Sequence, residues 1–300
     1  MEYSQGHLRR SALMCPKDFP PTHFVVIAHG RSGSTMLSLA LAGHPNVAMF
    51  LELFHRDPTD RKRFFRADEC RWNALLQRTI VRRNARVFSE SEDPEAFLRS
   101  SVFYSRHSKR IRAIGFKLLH NFSVLGAASE RLWGYVKSNK TLRVIHLRRR
   151  DLVAAFVSHE VARVTGTWTY FKSTKSLTGL LPPFVADVEQ FAAFAREIIK
   201  GERLMRKMLK GRNVLELTYE QDLGPTFEAT SCRLQKFLSV PFSPLPICTV
   251  KTPSRELARQ IRNLDELRQC EARLTEALAR PFLRQSQTKP AGSGWTDPLQ

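Results

Sequence analysis

The sequence predicts an α/β fold of three layers, a central parallel β-sheet flanked by helices. Three observations carry this. Short apolar runs rich in β-branched residues read as strands buried on both faces. They alternate with helix-like stretches, which calls for crossover connections and a parallel sheet. The 300 residues, 42% hydrophobic and 10% aromatic, can bury one sizeable core. One domain is therefore expected over residues 22–284, preceded by an N-terminal extension at 1–21.

Residues 23–29 (HFVVIAH), flanked by Pro20, Pro21 and Gly30, read as the first strand. The run 34–43 (STMLSLALAG) follows as a helix with a Ser/Thr cap at its start and a glycine stop at its end. Residues 47–50 form a second apolar run shortly before Glu52, and the very basic stretch 56–112 reads as helices and loops. Further strands are expected at 111–119 (IRAIGFKLL), 142–147 (LRVIHL) and 214–217 (VLEL). Between 183 and 209, Phe184, Val188, Phe191, Phe194, Ala195 and Ile198 recur at helical spacing, predicting a long amphipathic helix whose aromatics serve the core. Residues 256–283 read as one or two more helices. The tail 285–300 is polar and rich in Pro and Gly, and disorder is expected of it.

Charge narrows the partners without choosing one. Lys and Arg number 48 against 28 Asp and Glu, a net charge of +20, which favours polyanions such as nucleotides, nucleic acid or an acidic membrane surface. The basic residues are dispersed and no zinc-finger, basic-zipper or RNA-recognition signature accompanies them, so no specific nucleic acid is expected. The cysteines Cys15, Cys70, Cys232, Cys248 and Cys270 are odd in number and never paired as CxxC. That pattern suggests neither a disulfide scaffold nor a structural zinc, and a reducing compartment is expected. The first residues hold no secretory apolar segment, and no run approaches the roughly 18 apolar residues of a membrane span, so the expected location is cytoplasmic.

The chemistry centres on GRSGST at 30–35, between the first strand and the first helix. A loop so placed aims backbone N–H groups and the positive end of the helix dipole at one spot, an anion site. Gly30 and Gly33 let backbone approach an oxyanion, Ser32, Ser34 and Thr35 offer hydroxyls, and Arg31 offers a guanidinium fork. A nucleoside triphosphatase loop would carry Lys after the second glycine, to reach the terminal phosphates; here no Lys follows Gly33, which disfavours a magnesium-dependent kinase, and no metal is expected.

The segment FVVIAHGRSGSTMLSLALAGHPNVAMFLELFH resembles the 5′-phosphosulfate loop of sulfotransferases that use 3′-phosphoadenosine 5′-phosphosulfate (PAPS). It is most similar to the RSGS[ST] form of carbohydrate, lipo-oligosaccharide and nodulation-factor sulfotransferases. The resemblance implies a P-loop-type α/β domain. It also implies transfer of a sulfuryl group from PAPS to a hydroxyl, with release of 3′-phosphoadenosine 5′-phosphate (PAP). The 3′-phosphate of the donor is bound in that family by an Arg at a strand end and a Ser eight residues on; VIHLRRRDLVAAFVSHEVA supplies Arg150 and Ser158. The later segment CTVKTPSRELARQIRNLDEL resembles one that closes over the donor and nominates Lys251; Arg255, Arg259 and Arg262 read first as a solvated helix surface and only second as its helpers. VTGTWTYF at 164–171 resembles a stretch near acceptor and subunit contacts, and LTYEQD near 219 resembles a segment that supports the sheet.

By the same resemblance, Glu52 is the base that takes the acceptor proton, and Lys117 joins Arg31 in offsetting charge at the transferring group. His120 is the rival base, one position late for the pattern of cytosolic members. The expected acceptor is a sugar or glycolipid hydroxyl, with an acidic membrane surface and a homodimer as further expected contacts. Two other readings stay open: a nucleotide-type kinase on the same scaffold, and a non-enzymatic protein that binds nucleic acid or acidic surfaces.

Overall fold

The computed structural model describes residues 20–57, 87–105, 107–121, 126–169, 182–249 and 261–285. Five strands form one parallel sheet: β1 (Thr22–Ala28), β2 (Val47–Met49), β3 (Ala113–Leu119), β4 (Arg143–Arg148) and β5 (Val214–Thr218). Their spatial order is β2-β3-β1-β4-β5. Each lies within two residues of its expected place. The helices are α1 (Ser34–Ala42), α2 (Pro94–Phe97), which runs into a π-helix at Leu98–Phe103, α3 (Gly126–Ser138), α4 (Leu152–Thr165), α5 (Val188–Met208), the single turn α6 (Tyr219–Asp222), α7 (Phe227–Leu238) and α8 (Leu264–Gln285). Residues 58–86, 251–260 and 286–300 lie outside the described residues, and with them much of the basic stretch, the start of the expected C-terminal helical region and the tail.

The chain folds as two compact units. The first takes its described residues from Met1–Arg150, Thr169–Lys175 and Arg206–Val250 and contains the whole sheet. Strand alternation sorts its core. Phe24, Val26, Ala28, Ala113, Ile145, Leu147 and Leu217 face α1 and α7, where Leu37, Leu41, Leu234 and Leu238 cover them. On the other face Val25, Ile27, Ile114 and Val144 are fully buried, and Phe116 meets Phe54 and Phe103 in an aromatic cluster. Gly115 is glycine for space, since a Cβ there would stand 2.5 Å from the Phe24 ring.

The second unit takes its described residues from Asp151–Trp168, Ser176–Met205 and Lys251–Gln300. Phe156 of α4 packs edge-on against Phe191 of α5, and Leu267 and Cys270 of α8 join the same core. Of the predicted stripe, Phe191, Ala195 and Ile198 of α5 are buried and Val188 and Phe194 pack half-buried against them, whereas Phe184 precedes the helix and bridges Ile261. Asp151 caps α4 through the Ala154 N–H and holds Arg268 of α8 at 2.7 Å. Among the described residues no helix is long and apolar enough to cross a membrane.

The caps of α1 depart from expectation. No Ser/Thr side chain caps it; the N-cap is Gly33 in the left-handed region (φ 84), with no side-chain cap hydrogen bond. The glycine at the other end, Gly43, is right-handed (φ −73) and is required by the Pro246 ring beside it rather than by a left-handed stop. A first turn left without a side-chain cap keeps its amides for an external acceptor.

Candidate active site

The parallel register sets the loop after β1, Lys117 near the end of β3 and Arg150 after β4 toward the carboxyl end of the sheet, where open α/β sheets place their ligands. β1 ends at Ala28 and the chain turns through His29–Gly33 into α1. The turn is braced from inside. Ser32, fully buried, donates its hydroxyl to the His29 carbonyl at 2.7 Å, and the Gly30 N–H donates to Asn121 Oδ1 at 2.9 Å. Arg31 and Gly33 both have positive φ, 64 and 84. Gly33 is doubly constrained: φ favours glycine, and a Cβ would stand 2.6 Å from the Tyr219 ring.

Val26 of β1 pairs with Lys117 of β3, so Lys117 faces α1. Its ammonium is 1% exposed, donates to Thr35 Oγ1 at 3.0 Å and pairs with Glu52 Oε1 at 2.5 Å. Glu52 follows β2 and also lies 3.8 Å from His55. A helix start, an ammonium and a carboxylate are thereby joined in one chain of contacts. A charge this buried persists only when paired, which is what Glu52 provides. The lysine that the loop sequence lacks arrives from the neighbouring strand.

His120 continues the β3 ladder, its N–H donating to the Ala28 carbonyl at 3.0 Å, but alternation sends its ring to the opposite face from Lys117. There it meets His29, ring centroids 6.1 Å apart. Burial, then the charges of His29 and His146, push His120 down to about 3; burial pushes His29 down to about 4. Both imidazoles are neutral near pH 7. His146, fully buried on β4, is bonded through Nδ1 to Glu216 at 3.0 Å.

At the end of β4, Arg150 is exposed, and its N–H donates to both oxygens of the Glu220 carboxylate at 3.1 and 3.2 Å. Ser158 belongs to α4 in the second unit, and Arg262 there is exposed, its N–H donating to the Phe184 carbonyl at 3.0 Å. Trp168, 45% exposed, lies edge-on to His159 at 5.5 Å. Lys251, Arg255 and Arg259 lie outside the described residues. Sequence reasoning overlooked Arg149, Asn121 and Tyr219, all of which touch the loop. Tyr219 stands in a motif quoted for its neighbours, Asn121 directly follows His120, and Arg149 was one of three consecutive arginines.

Among the described residues no group of three or more His, Cys, Asp and Glu is arranged to hold a metal ion. No protein of curated function matches the sequence. Among solved structures the chain is similar to a sulfotransferase from Alicyclobacillus acidocaldarius, at 14% identity and TM-score 0.47, covering 88% of this chain and 96% of that one. It is similar also to the sulfotransferase domain of the Synechococcus PCC 7002 olefin synthase, at 17% identity and TM-score 0.42, covering 88% and 97%. A third is mouse sulfotransferase SULT7A1 complexed with PAP, at 11% identity and TM-score 0.38, covering 92% and 86%. The model of the Sulfotransferase family matches residues 23–244, a span that holds the loop and, Thr22 aside, all five strands of the sheet. On that match this chain belongs to the sulfotransferase family and is a sulfuryl-transfer enzyme.

Proposed function

We propose that the protein takes the sulfuryl group from PAPS and places it on a hydroxyl of a sugar or glycolipid, releasing PAP. The observation that carries this reading is the contact chain Thr35–Lys117–Glu52, which couples an anion cradle to a carboxylate through one buried ammonium. When bound, PAPS supplies an activated sulfuryl group on a leaving phosphate. The residues present fit such a donor: α1 begins without a side-chain cap, behind a loop carrying Arg31 and the hydroxyls of Ser34 and Thr35. Ser32 contributes from beneath, since its hydroxyl proton is committed to the His29 carbonyl.

Arg31 and Lys117 offset negative charge gathering at the loop, the form of help that in-line group transfer needs most. Glu52 takes the proton of the acceptor hydroxyl. Its alternative, His120, is a weak base at about 3 and faces the other side of the sheet. Arg150 holds the 3′-phosphate, its backbone fixed by Glu220. The sugar acceptor is supported by the similarity of the loop to the carbohydrate branch. The net charge of +20 supports approach to an acidic, lipid-linked acceptor.

Calorimetric titration with PAP in the absence of Mg²⁺, beside ATP as control, tests the donor. PAP should bind and Arg150→Ala should weaken it about tenfold or more; Glu52→Gln should keep PAP affinity while slowing turnover. A wild-type chain indifferent to PAP ends the donor assignment, and an undiminished rate in Glu52→Gln removes Glu52 as base.

A further inference from the structure

Arg149 and Tyr219 have no part in the chemistry above, yet both press on the loop. Arg149 Nη1 donates to the Arg31 carbonyl at 2.8 Å, and its guanidinium carbon sits 4.5 Å from the centroid of the Tyr219 ring. That ring fills the space a Cβ of residue 33 would need, with Cδ2 and Cε2 at 2.6 and 2.7 Å from it. The next residue of each segment turns to the other anion ligand, where Glu220 accepts the Arg150 N–H. The register explains the pairing. Arg148 of β4 lies opposite Thr218 of β5, so the residues that follow leave the sheet side by side.

We propose that Arg149 and Tyr219 are positioning residues for the phosphosulfate loop. They hold Arg31 and Gly33 in their left-handed conformations before any anion binds. Arg31 is not glycine, so its φ of 64 has to be maintained by its surroundings, and a charged donor on its own carbonyl is one contact that does so. The planar guanidinium is itself oriented over the Tyr219 ring, which also lies against Gly33. Arg149 therefore binds protein oxygen, while Arg150 beside it is left to bind ligand. Glu220 ties the second anion site to the same brace. The inference rests on the PAPS reading for the identity of the ligand, but not for the existence of the brace.

The test uses the full chain and three probes: PAP, adenosine 5′-monophosphate, whose phosphate addresses the loop, and adenosine 3′-monophosphate, whose phosphate addresses Arg150. Arg149→Lys, which keeps charge but loses the fork, and Tyr219→Leu should each weaken the 5′-monophosphate and PAP by about tenfold, leaving the 3′-monophosphate within about twofold. Equal losses for both monophosphates, or no loss for the 5′-monophosphate, overturn the proposal. Amide hydrogen exchange of residues 31–35 in the ligand-free protein keeps the two readings separate. Exchange there should quicken in Arg149→Lys and Tyr219→Leu while β1 amides hold their protection. Unaltered loop exchange sinks the brace whatever the protein binds, whereas a wild type that ignores all three nucleotides sinks only the donor assignment.

Discussion

Removing Lys117 should expose how much of the site depends on one ammonium. At the 2.5 Å separation from Glu52 the gross attraction is about 7 kcal/mol for an effective dielectric near 20. Desolvation of a 1%-exposed ammonium and a 13%-exposed carboxylate offsets much of that. The balance is best read as a coupling. Lys117→Met leaves Glu52 without its counter-ion and should cost about 3 kcal/mol of unfolding free energy, and Glu52→Gln, which strands the ammonium with Thr35, about 2 kcal/mol. The double variant removes both charges and should cost about 3 kcal/mol rather than 5, a coupling of about 2 kcal/mol. Urea unfolding of the four proteins at constant pH, with slopes checked for equality, supplies the cycle. Losses that add to within about 0.5 kcal/mol would refute the reasoning, because the two groups would then not act as a pair.

Two further outcomes follow from the loop and from the histidines beneath it. Gly33→Ala combines a left-handed residue with a methyl driven into the Tyr219 ring, and should lose about 3 kcal/mol in urea unfolding and about tenfold in PAP affinity; a change below about 0.5 kcal/mol would show that the ring yields freely. His29 and His120 titrate below the ordinary 6.5, at about 4 and about 3, so as pH falls the unfolded chain binds their protons first. Their contribution is whole above about pH 7 and should drop by about 2 kcal/mol per imidazole by pH 5. His29→Asn should flatten the stability profile between pH 7 and 5, and a slope identical to wild type would show that His29 is not the group responsible.

The strands were legible because a parallel sheet buried on both faces leaves short β-branched runs that little else imitates. The order of strand, glycine loop and helix at 22–42 was legible too, from the glycines that separate two apolar runs. The cap of that helix was not, since a serine at the first helical position reads as a cap whether or not its hydroxyl turns inward. Whether Arg149 or Arg150 meets the loop was closed to inspection of the sequence: three arginines in succession look equivalent until the register with β5 sets one against Tyr219 and the next against Glu220. The Lys117–Glu52 pair, joined across the β2–β3 pairing, leaves no periodic trace either, and only family resemblance pointed to both residues.

The same period of two bears on the choice of base. Lys117 and Leu119 share the α1 face with Val26 and Ala28, whereas His120 falls on the alternate side, among His29 and His146. A lysine on the α1 face can reach Thr35 and needs an acid beside it; Glu52 meets that need. A histidine on the other face is walled in by two more imidazoles and kept neutral, which suits packing at the strand ends better than accepting a proton at the loop. A shift of His120 by one residue toward β3 would bring it to the face of Lys117, so His120→Leu paired with Leu119→His is the sharper probe of this argument. It should place an imidazole on the face of Lys117, and rescue of Glu52→Gln by that pair alone would show that face, rather than residue type, decides the proposed base.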